Sequence, residues 1–429
     1  MMNNNIIKVF EHELLLIGNH FQKHHWRDMA LFNEKHDGKY FTLLQDGVKF
    51  NQYVGVIQIG ELSIEILPKI GRTSETEVEK SKWQSVLLDM LNECSWLKLN
   101  VTENTSLKIK PNSILEAYIA IFISECEILL REGLIKKYRT IEENSYALKG
   151  KLLLNSHISK NFIHKERFYT AHPSYDRNNI INQVIYKALN VVKNISKSPS
   201  LNDKINELLF SFPEVDDINV TTTTFERIIY DRKSERYRQA LQIAFMLLLN
   251  YRPDVASGDR NVLAILFDMN DLWEEYISVQ LRKFIKPGWE LGEQKQRKFW
   301  SLNTSDNYKI IKPDLVVTNQ DKQSIIIDTK WKLPEGNVPS DADLKQMYVY
   351  NHYWNGINSI LLYPKQKFEP VIVLVEGSYK KPFDHKCSIA KVSVLNKENQ
   401  GLDHKLGNRI MKMIETEFSK KVISINVSI

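Results

Sequence analysis

Asp314 and Asp328 stand fourteen residues apart, and Lys330 follows the second aspartate by two. Between the aspartates lie two apolar, β-branched runs, Leu315–Val317 and Ser324–Ile327, separated by the polar cluster Asn319, Gln320, Asp321 and Lys322. That pattern predicts a β-hairpin. In an antiparallel pair the start of one strand lies beside the end of the next, so the two carboxylates become neighbours. Asp328 and Lys330, two apart on one strand, project from the same face. Two carboxylates and a lysine at one point suit metal-assisted phosphodiester hydrolysis. Mg²⁺ prefers carboxylate oxygens, water and substrate phosphate, and it can polarise a phosphoryl group and activate water. Lys330 would hold the attacking water or the developing negative charge. A solvent-facing hairpin with an ordinary ion pair is the bland alternative, and the flanking elements weigh against it.

Lys312-Pro313-Asp314 with Asp328-Thr329-Lys330 resembles the nuclease signature Pro-Asp…(Asp/Glu)-x-Lys in every element. Downstream, Asp341–Tyr350 predicts a helix, with Asp341 or Asp343 able to cap it and Leu344, Met347 and Tyr348 as its apolar stripe. Gln346 and Tyr350 are four apart on one face, which resembles the Gln-xxx-Tyr element that follows the lysine in RecB-like nucleases. Upstream, Phe267–Ile277 predicts a helix that sends Leu272, Trp273, Tyr276 and Ile277 to the core and carries Glu274 or Glu275 toward the hairpin.

The chain has 429 residues, enough for two or three domains. Its hydrophobic content of 43% and charged content of 26% are those of an ordinary globular protein. No apolar run reaches the length of a membrane span, and the first residues, Met1 to Asn5, lack the basic and apolar regions of a signal peptide. Cys94, Cys126 and Cys387 are widely scattered, so neither a zinc site nor a disulfide framework is indicated. A cytoplasmic setting fits. The net charge of +6 permits nucleic-acid binding without demanding it. Lys136-Lys137-Tyr138-Arg139 and Lys295-Gln296-Arg297-Lys298 have the composition of phosphate contacts, although a solvated face is the commoner fate of such clusters. No Gly-xxxx-Gly-Lys-(Ser/Thr) loop occurs, so any nucleoside triphosphate would be hydrolysed by another subunit.

The remaining pattern predicts a mixed α/β chain in three parts. Residues 1–105 are β-rich: Phe41–Leu44 and Val48–Phe50 flank an Asp46-Gly47 turn, Tyr53–Ile59 and Leu62–Leu67 flank Gly60-Glu61, and a helix carrying Trp83, Leu87, Leu88 and Leu91 follows. Residues 106–258 are mainly helical, with helices at Ile114–Ile135, Asn179–Ile195, Lys204–Phe212 and Glu226–Leu249, the last entered through Thr221–Thr224. Arg252-Pro253 and Gly258 mark a break. Residues 259–429 hold the hairpin, two strands at Ile357–Tyr363 and Val371–Glu376, another near Ser388–Leu395 and a last helix at Asn408–Phe418.

Taken together these stretches resemble the McrC family, the nuclease subunit of the McrBC modification-dependent restriction system. Tyr53–Ile70 is similar to the family's N-terminal signature. Glu142–Asn144, Leu148–Leu152 and Tyr175-Asp176 with Asn178, Asn179 and Asn182 are similar to its central region. Phe267–Glu274, Asp328–Lys332 and the Gln346 helix are similar to its catalytic region. Lys312 stands where arginine is frequent, and Trp273 where phenylalanine is usual. The threonine-rich stretch and the tail after about residue 395 do not align.

The resemblance implies a C-terminal PD-(D/E)xK restriction-endonuclease-like domain in which Asp314, Asp328 and the carbonyl of Thr329 ligate Mg²⁺. Lys330, Glu274 and Gln346 would complete the catalytic set. It also implies an AAA+ motor hexamer that binds and hydrolyses GTP, contacted by the N-terminal part of this chain, with double-stranded DNA carrying modified cytosine as substrate. A second copy of the chain would be needed to cut both strands. Two rivals remain at this level: a catalytically silent adaptor that only activates the motor, and a stand-alone repair nuclease.

Overall fold

The computed structural model describes residues 6–70, 76–96, 113–252, 261–302, 307–334, 338–380 and 386–426. By its contacts the chain divides into two compact units. The first comprises residues 1–57, 62–104 and 266–429, and the second residues 58–61 and 105–265. The N-terminal hundred residues and the C-terminal segment, expected as separate parts, therefore fall largely in one unit. Pro253 and Gly258, the expected break, lie outside the described residues.

The first unit begins with β1 (Ile6–Phe10), β2 (Leu14–Leu16), α1 (Lys23–Lys35), β3 (Phe41–Leu44), β4 (Gly47–Phe50), β5 (Tyr53–Ile59), β6 (Leu62–Leu67) and α2 (Glu77–Glu93). β2, β4 and β3 make a small antiparallel sheet. The expected hairpin is present, but its two-residue loop is Gln45-Asp46, and Gly47 already opens β4. A Cβ at Gly47 would stand 2.4 Å from the Leu15 carbonyl oxygen, so only glycine allows β2 to pair there. Every residue of β5 and β6 is buried, which explains why their alternation is only partial in the sequence. β1 joins β6 in parallel.

The second unit contains α3 (Ile114–Arg131), β7 (Lys137–Ser145), β8 (Lys151–Leu152), α4 (Leu154–Asn161), β9 (Phe168–Asp176), α5 (Ile180–Ile195), α6 (Pro199–Ser211), α7 (Thr222–Glu226), α8 (Arg238–Leu249) and β10 (Tyr251–Arg252). Beside these helices, β7, β9 and β8 form an antiparallel sheet that the sequence reading did not expect. β7 carries few apolar residues on either face, so no period of two shows in the hydrophobic pattern. Gly150, between β7 and β8, adopts φ +67°, and a Cβ there would lie 2.5 Å from the Ala171 carbonyl oxygen. The expected helix Glu226–Leu249 is also broken. Asp231 accepts from the backbone of Lys233 and Ser234, and this Asx turn stops the helix until Arg238.

After β11 (Val262–Asp268), the first unit resumes with α9 (Met269–Phe284), β12 (Glu290–Glu293), β13 (Arg297–Ser301), β14 (Tyr308–Ile311), β15 (Leu315–Thr318), β16 (Ser324–Thr329), α10 (Asp341–Trp354), β17 (Gly356–Pro364), β18 (Leu374–Val375), β19 (Cys387–Val392) and α11 (Leu406–Asn426). A six-stranded mixed sheet runs β12-β15-β16-β17-β19-β18. β15 and β16 are antiparallel, whereas β17 and β19 continue in parallel from β16. α10 makes the crossover from β16 to β17 and packs Met347, Tyr350 and Trp354 onto Val316, Ile326, Leu361 and Tyr363. The expected strand Val371–Glu376 shrinks to Leu374-Val375. β13 and β14 form a separate two-stranded ribbon. No helix among the described residues is long and apolar enough to cross a membrane.

Candidate active site

β15 and β16 pair with Leu315 opposite Ile327 and Val317 opposite Ile325. Asp314 therefore enters β15 beside Asp328 near the end of β16. Both faces of the two strands are buried, so a one-residue slip would exchange the side chains packed on each side and break their fit, which holds this register. Asp314 accepts two hydrogen bonds from Thr329, at 2.7 Å from its backbone N–H and 2.9 Å from its hydroxyl. Asp328 is 1% exposed and lies 2.6 Å from the Lys330 ammonium. Gln346, on α10, donates to Asp328 at 3.4 Å and to the Tyr350 hydroxyl at 2.8 Å. Its carbonyl side faces Lys330 at 3.5 Å. The Tyr350 hydroxyl in turn donates to the Lys312 carbonyl at 2.8 Å, which ties α10 to the chain entering β15.

The electrostatics follow from burial. Desolvation, and next the charge of Asp314, push the Asp328 carboxyl up to about 7. Asp314 is raised too, again by burial first, although its bonds from Thr329 and the Lys330 charge work against the rise. Burial alone would pull the Lys330 ammonium down, but the neighbouring Asp328 outweighs it and the net shift is upward. Lys330 therefore stays charged between two acids that repel each other.

Glu274 reaches this cluster from α9. It accepts from Gln294 at 2.5 Å, and Gln294 also bonds the Asp314 carbonyl through its backbone N–H at 2.9 Å. Burial, then the Asp314 charge, raise the Glu274 carboxyl. Glu275 turns elsewhere, its charge acting on Cys94 and Arg282. The structure thus brings Asp314, Asp328, Thr329, Lys330 and Gln346 into direct contact and links Glu274 through Gln294.

Two acids escaped the sequence reading. Asp343, expected as a helix cap, is instead buried and bound to Lys332 at 2.7 Å, with Lys330 at 3.9 Å. Ser340 caps α10 by accepting from the Asp343 backbone N–H. Glu11, which follows β1, is fully buried and accepts from Trp331 Nε1 at 2.7 Å and from Lys69 N–H at 2.8 Å. Burial pushes its carboxyl up to about 8. Trp331 follows Lys330 directly and packs on Trp273 with ring centroids 5.3 Å apart, so Glu11 anchors the chain just beyond the lysine.

Among the described residues no group of three or more His, Cys, Asp or Glu side chains stands close enough to enclose a metal ion. The donor set nonetheless fits Mg²⁺, which is held by one or two carboxylates and completes its shell with water and phosphate. Two buried carboxylates with raised pKa values, sharing one lysine, are short of positive charge, and a divalent cation would relieve that.

The family model for the McrBC 5-methylcytosine restriction system component matches residues 48–364. Comparison with curated proteins returns no match. Among solved structures, a chain of the Thermococcus gammatolerans assembly of McrB AAA+ hexamers with bound McrC aligns at 18% identity. It does so with a TM-score of 0.68, over 95% of this chain and 100% of that one, so the two share a fold. A chain of the Thermococcus gammatolerans McrBC complex aligns at 19% identity with a TM-score of 0.47, over 66% of this chain and 88% of that one. With the family model spanning most of its length, the chain belongs to the McrBC 5-methylcytosine restriction system component family.

Proposed function

We propose that this chain is the McrC-type DNA endonuclease subunit of a modification-dependent restriction complex. The observation that carries the reading is the convergence of Asp314, Asp328 and Lys330 at the end of one hairpin, with Gln346 closing over them. This is the residue set and order of a PD-(D/E)xK nuclease. Asp314, Asp328 and the Thr329 carbonyl would hold Mg²⁺, which when bound polarises the scissile phosphate and lowers the pKa of water. Lys330 remains cationic and positions the attacking water or meets the charge that builds on phosphorus. Gln346 fixes the orientation of both Asp328 and Lys330. Glu274, with its raised pKa, sits where it can accept a proton by way of water.

The chain carries no phosphate-binding loop for a nucleotide, so GTP hydrolysis falls to an AAA+ partner of McrB type, which this chain stimulates. Double-stranded DNA with modified cytosine is the substrate. Cleavage of both strands requires a second copy of the site. The test uses the complete complex with GTP, Mg²⁺ and modified DNA. Asp328→Ala and Lys330→Ala should each abolish cleavage while circular dichroism and thermal melting stay near the parent. Cleavage retained by either variant would remove the site assignment. A parent chain that stimulates GTP turnover but never cuts would identify it as a silent adaptor, and efficient cutting of unmodified duplex by the chain alone would favour a repair nuclease.

A further inference from the structure

The β13–β14 ribbon stands beside the candidate site with little packed against it. All five residues of β13 and three of the four in β14 are exposed. Among them, Trp300 is 54% exposed and Tyr308 48%. A lone two-stranded ribbon is marginal in water, and aromatic rings left on both strands point to a binding surface.

Its charge is one-sided. Residues 295–312 hold five basic side chains and one acid, a net +4 within a chain whose total is +6. Lys295 pairs with Glu290, and Arg297 is tied to the Tyr353 carbonyl and the Trp354 ring. Lys298 lies over the Tyr308 ring at 4.1 Å. Among the described residues, Lys298, Lys309 and the facing Lys345 of α10 have no acidic partner.

The ribbon is rooted in the candidate site. β14 runs through Lys312 and Pro313 straight into Asp314, and Gln294, just before β13, bridges Glu274 and Lys312. Between ribbon and α10 lies an open groove of about 500 Å³, whose lining includes Phe299, Lys345, Gln346 and Tyr350. Gln346 already belongs to the catalytic cluster, and Tyr350 bonds it.

We infer that the β13–β14 ribbon, with Lys345 across the groove, is the surface that grips the backbone of duplex DNA and delivers a phosphodiester to Asp314, Asp328 and Lys330. The inference rests on the nuclease reading above and names how that site holds its substrate. Duplex DNA carries one negative charge per about 1.7 Å of axis. A five-residue strand reaches about 16 Å, so the ribbon runs past several phosphates. A two-stranded ribbon also has the width that the major groove admits. Exposed Trp300 and Tyr308 supply an indole N–H and a phenol O–H for phosphate and sugar oxygens. An unpaired cationic surface continuous with the cutting site favours a polyanion over a protein face.

The test measures binding of the full chain to an unmodified duplex in EDTA, from about 50 to about 200 mM salt. Lys298→Ala/Lys309→Ala/Lys345→Ala should bind at least tenfold more weakly at low salt. Its slope of log affinity against log salt should be shallower by about 2 to 3, since each lost phosphate contact removes about 0.9. Hydrogen exchange of the parent should slow at residues 297–301 and 308–311 when duplex is added. Unchanged affinity and slope in the triple variant, unprotected ribbon amides, or no binding by the parent at low salt would each overturn the inference. So would loss of association with the AAA+ ring in the triple variant while its DNA binding stayed intact, because the ribbon would then be a motor contact. None of these results bears on Asp328→Ala in the complete complex. If that variant cuts, the nuclease site is wrongly placed whatever the ribbon binds.

Discussion

Replacing Glu11 by glutamine isolates a fully buried acid of the first unit. Burial is the main reason its carboxyl rises from 4.5 to about 8, and Asp268 adds to the rise. The hydrogen bonds from Lys69 and Trp331 oppose it, because they favour the charged form. The folded-state pKa is therefore above the unfolded value. The stability linked to this proton is fully present below about pH 4.5 and is lost as pH climbs through about 8. A shift of about 3.5 units at about 1.4 kcal/mol each gives an upper limit of about 5 kcal/mol. Glutamine keeps an oxygen acceptor for Lys69 and Trp331 but cannot titrate. Urea unfolding of the full chain, followed by tryptophan fluorescence at several pH values, reads the effect. The variant should match or trail the parent near pH 4.5 and gain on it by several kcal/mol toward pH 8. Other groups that titrate in this range, Asp328 included, do so in both proteins and cancel in the difference. Parallel pH profiles, or a parent that gains on the variant as pH rises, would refute the buried neutral carboxyl.

Mg²⁺ should raise the melting temperature of the full chain more at pH 8 than at pH 6, because Asp328, with its carboxyl near 7, must shed a proton to become a ligand. Asp328→Asn should erase that gain, and a pH-independent gain would place the metal elsewhere. Tyr350→Phe removes the hydroxyl that links Gln346 to the Lys312 carbonyl. It should cost about 1 kcal/mol of stability and slow cleavage in the complete complex, and a variant that cuts at the parent rate would show that Gln346 is anchored otherwise. A fragment of residues 1–255 should lack cooperative unfolding and yield rapidly to protease in its first hundred residues. Such a fragment removes Trp331 from Glu11 and deletes the C-terminal part of the first unit. A protease-resistant fragment would show that the N-terminal segment folds alone.

The hairpin and the helix after it were legible because their signals are local. Ile325, Ile326 and Ile327 are β-branched, the turn cluster is polar, and Gln346 and Tyr350 share a helical face. What escaped depends on contacts remote in sequence or on polar strands. Glu11 meets Trp331 across 320 residues, with no spacing to announce it. β7 has only Tyr138 and Ile141 as large apolar residues among charged and polar ones, and β9 carries His172 and Pro173 between its aromatic ends, so neither shows a hydrophobic stripe. Asp343 has the position of a helix cap, yet Lys332 draws its side chain inward and Ser340 takes the cap. Glu274 and Glu275 differ in the structure by what they face, which adjacency in sequence alone leaves open.

The features that made the hairpin readable are also what hold the site in an unfavourable electrostatic state. Two buried acids in contact through Thr329 repel each other, and either would relax if β15 and β16 slid apart or slipped by one residue. Separating the strands would expose Val316, Ile325 and Ile327, each now at most 2% exposed, and burying such a side chain stabilises by about 1.5–3 kcal/mol. Three of them together outweigh a repulsion that supplies only part, after burial, of the rise of Asp328 to about 7, a rise worth about 4 kcal/mol in all. The apolar runs thus fix the separation of Asp314 and Asp328 against their own charge, and Lys330 offsets only part of the repulsion. If the pair holds Mg²⁺ as proposed, the cation would meet two carboxylates already in place and already short of a counter-charge, so its binding free energy need not be spent on assembling them.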